Sequence, residues 1–118
     1  MKILVEIHDS IIDKETDLIK KYYEYAKDFK KILNEEILNG TSERTARKWM
    51  YDILEIHSKA NRGAIKKRTN QAEEIYDIIN ELGGRNITEL MQNVTLNELF
   101  TLNNEDKEYI KEYLNNLE

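Results

Sequence analysis

Proline is absent from all 118 residues, and the four glycines stand at positions 40, 63, 83 and 84. Because proline and glycine are the residues that most often interrupt or end a helix, a chain that nearly lacks them favours long helices. The abundant glutamate, lysine and leucine are good helix formers as well. We therefore expect an all-α protein, a helical bundle with one long central helix or helix pair.

Apolar residues recur at intervals of three and four along two stretches of the chain. The first stretch, from about residue 10 or 13 to residue 38, predicts an amphipathic helix that stops at Asn39-Gly40. The second, residues 43–82, predicts either one very long helix or two helices that meet near residues 59–63. His57 falls on the apolar stripe of this second pattern, so we expect a buried neutral imidazole there. Three shorter helices are expected after Gly83-Gly84.

The first eight residues follow a different period. Lys2 to His8 alternates between apolar and polar side chains closely enough to predict a short N-terminal β-strand. A single strand leaves its backbone groups unpaired, so it needs a partner from a second subunit or from residues 94–96, or else the segment is helical. The first option implies a homodimer. A ribbon-helix-helix protein uses such a strand to read DNA, but the helical pattern that follows here is too long for that fold.

Charge is distributed unevenly along a chain whose net charge is -5. Residues 1–43 carry a net charge of -3, residues 44–68 carry +6 and residues 69–118 carry -8. A basic middle between acidic ends suits a protein that offers one surface to phosphates, although an exposed solvated helix has the same pattern. We expect one domain over residues 1–118, in which a helical core at 10–84 contains the basic segment 42–68. Residues 85–118 then form an acidic helical C-terminal element.

The most specific motif lies at residues 40–50. Gly40 can end one helix in the left-handed conformation, and Ser42 can cap the next by accepting a hydrogen bond from a backbone amide at Arg44 or Thr45. One face of that next helix is apolar and predicts core residues, namely Ala46, Trp49, Met50 and Ile53. The remaining face carries basic and polar side chains.

This pattern, Gly-x-Ser-x-Arg-Thr-x-x-x-Trp, resembles the turn and recognition helix of small helix-turn-helix DNA-binding modules of phage, transposon and resolvase type. The resemblance covers residues 40–50 only, and Glu36 and Asn39 depart from the family's first helix. It implies that Gly40 is the turn glycine and that Trp49 is the core anchor. It also implies that Arg44, Thr45 and Lys48 face the groove or the phosphates.

Duplex DNA is therefore the expected partner, bound by residues 42–53 as a recognition helix and by residues 59–68 as a supporting contact to the backbone. The predicted DNA-binding residues are Arg44, Thr45, Arg47, Lys48, Tyr51, Lys59, Arg62, Lys66, Lys67 and Arg68. The resemblance, the small size and a composition typical of an AT-rich genome together suggest a regulator or accessory factor of a phage, plasmid or other mobile element, acting as a homodimer.

Several other functions find no support in the residues present. There is no cysteine, no glycine-rich phosphate loop and no spaced set of histidines and carboxylates, so we expect no enzyme activity, no cofactor and no metal. The chain has neither a signal-peptide pattern nor an apolar run long enough for a membrane span, which predicts a cytoplasmic protein. The alternative function is a protein-interaction module, such as a phage-type inhibitor or helical adaptor, working through the acidic residues 85–118.

Overall fold

The computed structural model describes residues 1–12, 18–58 and 60–116, with the side chains of residues 10–12 and 85 outside the description. Within these ranges the chain forms seven α-helices and one 3-10 turn, which confirms the all-α expectation. They are α1 (Lys2–Ile12), α2 (Leu18–Leu38), α3 (Glu43–His57), α4 (Arg62–Gly83), the 3-10 turn Gly84–Asn86, α5 (Ile87–Asn93), α6 (Leu96–Thr101) and α7 (Asn104–Asn115).

The predicted N-terminal strand is wrong, because Lys2–Ile12 is helical. Leu4 and His8, which are four residues apart and so share one face of a helix, are both fully buried. Ile3, which the alternation would have placed on a buried strand face, is 65% exposed. A helix satisfies its own backbone hydrogen bonds, whereas no strand lies among the described residues to pair with this segment. Without this strand, neither a dimer formed by strand pairing nor a ribbon-helix-helix fold is supported.

The core is built mainly between α2 and α4, which pack along each other. Three tyrosines of α2 lie in this interface, and each hydroxyl is hydrogen-bonded to a polar side chain of α4. Tyr25 is paired with Thr69 at 2.7 Å, and the Tyr23 hydroxyl donates to Asn80 at 2.7 Å. Because buried hydroxyls are costly unless they are hydrogen-bonded, these pairs fix how α2 lies against α4. The tyrosine stripe is thus part of the core.

The long pattern at residues 43–82 is two helices. At the end of α3 the Ser58 amide donates to the Leu54 carbonyl at 2.8 Å, and the backbone then becomes extended. Asn61 begins α4 by accepting a hydrogen bond from the Ala64 amide at 2.9 Å. Both caps lie in or beside residues 59–63, the weakly apolar stretch where the sequence pattern predicts that two helices could meet. The basic segment therefore folds back on itself, with α3 packed against α4.

The acidic C-terminal helices pack against the distal part of α4. Leu114 of α7 is buried, and its carbonyl accepts a hydrogen bond from the Asn86 side chain at 3.0 Å. Lys111 lies 3.5 Å from Glu81 of α4. Capping boxes begin α6 at Thr95 and α7 at Asn103.

Candidate nucleic-acid interface

The turn between α2 and α3 has the geometry that the motif predicts. Gly40 has φ +97°, a left-handed conformation that a residue with a Cβ rarely adopts. Ser42 then caps α3, because its Oγ accepts a hydrogen bond from the Thr45 amide at 3.2 Å. Four residues, 39–42, separate the two helices, which is a length typical of the turn in a helix-turn-helix.

The buried face of α3 differs from the predicted one by a small rotation of the helix. Ala46, Met50 and Leu54 are all fully buried at a regular spacing of four residues. Trp49, predicted as the core anchor, is 42% exposed, and His57, predicted as a buried histidine, is exposed. Both expectations are wrong because burial of Leu54 and Tyr51 turns the helix away from that side.

The outward face of α3 carries the predicted groove-facing residues. Arg44, Thr45 and Lys48 are exposed, and their spacing places them together on the first two turns. Neither Arg44 nor Lys48 forms an ion pair with a carboxylate of the described residues. Their charges are thus available to a ligand at the start of the helix, where the backbone amides add positive potential.

Arg47 belongs to a different part of the surface. Its guanidinium donates two hydrogen bonds to Glu73 of α4, at 2.8 and 3.0 Å, and lies 5.5 Å from the centre of the Phe29 ring. Glu43 also approaches it, at 3.8 Å. The paired carboxylate raises the pKa of Arg47 further above its ordinary value. This arginine fastens α3 to α4, and its charge is already balanced.

Arg62 forms a second connection between α3 and α4, at the other end of α3. Its guanidinium forms ion pairs with Asp52 and with Glu55, the latter at 3.1 Å, so the first turn of α4 is tied to the last two turns of α3. These two carboxylates are the only acidic residues in the segment 44–68, and Arg62 occupies both. Any carboxylate that pairs with another cation of this segment must therefore come from elsewhere in the chain, as Glu73 does for Arg47.

Between α3 and α4 lies a groove of about 340 Å³. Six of the ten predicted DNA-binding residues line it, and we call it the cationic groove: Arg44, Arg47, Lys48, Tyr51, Arg62 and Lys66. Tyr51 is only 7% exposed, so it forms the wall of the groove and is not placed to reach a base edge. The Lys66 ammonium lies over its ring, 5.7 Å from the ring centre.

Lys67 and Arg68 lie apart from this groove. They line a second, smaller groove of about 300 Å³ with Tyr22 and Gln71, on the opposite flank of the buried face of α4. One guanidinium nitrogen of Arg68, Nη1, is buried without a hydrogen-bond partner among the described residues. Lys59 lies outside the described residues. The structure thus brings six of the ten predicted residues together in the cationic groove and separates Lys67 and Arg68 from them.

The sequence alone does not identify the carboxylates that pair with Arg47 and Arg62, and the reason differs between the two arginines. Glu73 lies 26 residues beyond Arg47, and no local pattern links the two. The partners of Arg62 are easier to identify from the sequence. Asp52 and Glu55 are the only acids inside a basic segment, and Arg62 follows closely after the predicted helix break.

Comparison with protein-family models, with curated proteins and with solved structures gave no match. The helix-turn-helix resemblance consequently depends on residues 40–50 and on their geometry. Among the residues described, no three or more histidine or acidic side chains are grouped so that they could hold a metal ion. No helix in the described ranges is both long and apolar enough to cross a membrane.

Proposed function

We propose that the protein binds double-stranded DNA through the cationic groove, with α3 as the recognition helix. The observation that carries this proposal is that three residues lining the cationic groove, Arg44, Lys48 and Lys66, have no carboxylate partner among the described residues. In helix-turn-helix proteins the first residues of the second helix contact base edges while nearby cations contact phosphates. Thr45 is exposed between Arg44 and Lys48, and we expect it to make a polar contact to the duplex.

The two paired arginines have a supporting role in this proposal. Arg47 and Arg62 hold α3 against α4 and so fix the position of the three unpaired cations. The distribution of acidic residues supports the same surface, since the helices α5 to α7, which carry six carboxylates and two lysines, pack at the distal part of α4. A cytoplasmic regulator or accessory factor of a phage, plasmid or other mobile element fits this activity.

The proposal is tested by the salt dependence of binding to a fluorescent duplex of random sequence. If Arg44, Lys48 and Lys66 each neutralise one phosphate, log K should fall with log[salt] with a slope of about -2.7 for one chain. The double variant Arg44→Gln/Lys48→Gln should reduce the slope to about -0.9. The matched control Lys27→Gln/Lys31→Gln removes two exposed lysines of α2 outside the groove and should leave the slope unchanged. Equal loss in both variants, or no binding at low salt, contradicts the proposal.

A second function, binding of a protein partner through the acidic C-terminal element, has one observation in its favour. Tyr109 and Tyr113 of α7 are 72% and 56% exposed, and their spacing of four residues places them on one face among carboxylates. Exposed tyrosines are frequent at protein interfaces. This alternative predicts that the purified chain is not retained on heparin even at low salt. It also predicts that the Arg44→Gln/Lys48→Gln variant behaves as the wild type in every binding assay.

A further inference from the structure

The side of α3 that faces α1 exposes an apolar surface. Trp49, Ile53 and Ile56 follow one another at intervals of four and three residues, so they share one face of the helix. Trp49 is 42% exposed, Ile56 is 74% exposed and Ile53 is half-buried. Ile53 also lines an apolar groove of about 430 Å³ together with Val5 of α1 and with Met1, which directly precedes α1. A tryptophan and an isoleucine exposed beside an apolar groove are typical of an interaction site.

We propose that this surface, the α1–α3 face, is the contact between two copies of the chain related by a two-fold axis. Ile56 of each copy projects furthest from the face and is the side chain available to fill the groove of the other copy. The contact itself is independent of what the protein binds, whereas the arrangement of the two cationic grooves described below rests on the proposed function.

The charges at the rim of the groove favour a second copy over a different partner. Lys2 and Glu6 both line it, one turn apart on α1, and neither forms an ion pair with another described residue. In a two-fold contact the same surface meets itself, so it must carry both members of each charge pair. With the two α1 helices antiparallel, Lys2 of each copy lies opposite Glu6 of the other. The lone cation and the lone anion are then both satisfied.

The direction of the face relative to the cationic groove also suits a symmetric dimer. With about 100° between successive residues, Trp49, Ile53 and Ile56 point about 100° away from Arg44, Thr45 and Lys48 around the axis of α3. A two-fold axis can therefore lie within the contact and run parallel to the outward direction of the cationic side chains. Both cationic surfaces then point to the same side of the dimer, where one duplex can meet them.

The length of α3 gives a spacing that can be compared with DNA. A two-fold axis across the helices makes the two α3 helices antiparallel, with the contact centred at or between Ile53 and Ile56. Arg44 precedes these residues by nine and twelve positions, and each residue rises about 1.5 Å. The two Arg44 positions are then about 27–36 Å apart along the helix direction. Successive major grooves on one side of B-DNA are about 34 Å apart.

The test is the mass of the full-length chain in solution, measured by sedimentation equilibrium over a dilution series. The wild type should form a species of twice the chain mass of 14.1 kDa. Ile56→Glu places a charge in the contact and should raise the dimer Kd by more than about tenfold. Leu38→Glu, at a position that is 86% exposed on α2 and outside the face, is the matched control and should leave the Kd unchanged.

A charge exchange tests the two-fold geometry itself. Lys2→Glu alone and Glu6→Lys alone should each weaken self-association, because each places like charges opposite one another twice. An equimolar mixture of the two variants should recover the dimer, since every Lys2→Glu site then faces a Glu6→Lys site. Failure of the mixture to associate more tightly than either variant alone would overturn the proposal.

The outcomes separate this inference from the proposed function. A wild-type chain that stays monomeric, or a dimer that Leu38→Glu disrupts as strongly as Ile56→Glu, overturns the α1–α3 contact even when the chain binds duplex DNA. A dimer with the expected response to these variants and no affinity for DNA supports the contact while the proposed function falls.

Discussion

Replacement of Glu73 by glutamine removes the carboxylate that holds Arg47, and replacement of Arg47 by methionine removes the other side of the pair. The pair joins α3 to α4 through two hydrogen bonds of 2.8 and 3.0 Å, with the two side chains 26% and 17% exposed. We expect both substitutions to destabilise the fold and the double variant to lose less than the sum of the single losses. The pair is then structural, and we expect Arg47 to contribute little to the proposed binding of DNA.

The expected coupling energy of the Arg47–Glu73 pair follows from its hydrogen-bond geometry and from its partial burial. Exposed ion pairs contribute about 0–1 kcal/mol, whereas breaking a fully buried pair costs about 3–5 kcal/mol. A bidentate pair that is mostly but not fully buried falls between these limits, so we expect a coupling energy of about 2 kcal/mol. A single variant that loses this coupling energy in full should have a Tm about 8 °C lower, for a domain of this size.

The assay is urea unfolding followed by circular dichroism, with the fluorescence of Trp49, the only tryptophan, as a second probe. The four proteins of the double-mutant cycle give the coupling energy directly. A coupling energy below about 0.5 kcal/mol would refute the structural role of the pair. So would a loss of duplex affinity for Arg47→Met as large as the loss for Arg44→Met, since a guanidinium already bound by Glu73 has no free charge to offer.

Three further predictions concern stability. Burial, with a smaller contribution from Arg68 and against the effect of Asp9, lowers the pKa of His8 below its ordinary value of 6.5. The unfolded chain therefore binds the proton more readily than the folded chain does. The contribution of His8 to the free energy of unfolding should be complete above pH 6.5 and should decrease as the pH falls below 6.5. His8→Gln should flatten this dependence. Unchanged pH dependence in His8→Gln would exclude the imidazole as its source. Gly40→Ala should cost about 1–2 kcal/mol, because the backbone there has φ +97°. Gly63→Ala should instead stabilise by about 0.5 kcal/mol, since its Cβ would meet only the Asn61 side chain, at an ordinary distance of 3.5 Å. Thermal unfolding of both glycine variants checks the sign of each effect, and a stabilising Gly40→Ala would contradict the assigned turn.

Features that depend on a few neighbouring residues could be predicted from the sequence. The end of α2 before Asn39-Gly40 and the cap at Ser42 each involve residues no more than four positions apart. The break between α3 and α4 was one of two alternatives, because its signal is one glycine and several small or polar side chains. The cap that Asn61 forms there decides in favour of two helices.

Features that depend on packing could not be predicted in the same way. Ala46, Trp49, Met50 and Ile53 fit one apolar face, but a small rotation of α3 buries Tyr51 and Leu54 and exposes Trp49. The Tyr51 ring lies 5.9 Å from Phe29 of α2, a contact 22 positions away in sequence that helps to fix this rotation. The N-terminal segment is a second example. Its alternating run of seven residues is compatible with a strand, but packing against α2 favours a helix that buries Leu4.

The candidate site contains features of both kinds, some that depend on neighbouring residues and some that depend on packing. Arg44, Thr45 and Lys48 lie at exposed positions on the first two turns of α3, as the local motif predicts. Whether an arginine is free or paired depends instead on carboxylates brought in by the fold. Glu73 comes from the middle of α4, and no local pattern could show that it removes Arg47 from the set.

The most direct test of the central claim is an NMR titration of the ¹⁵N-labelled chain with a short duplex of random sequence. If the cationic groove binds DNA, the amide signals of Arg44, Thr45, Lys48 and Lys66 should shift progressively and in a salt-dependent manner, while those of α7 stay in place. Shifts confined to α7, or none at low salt, would contradict the account.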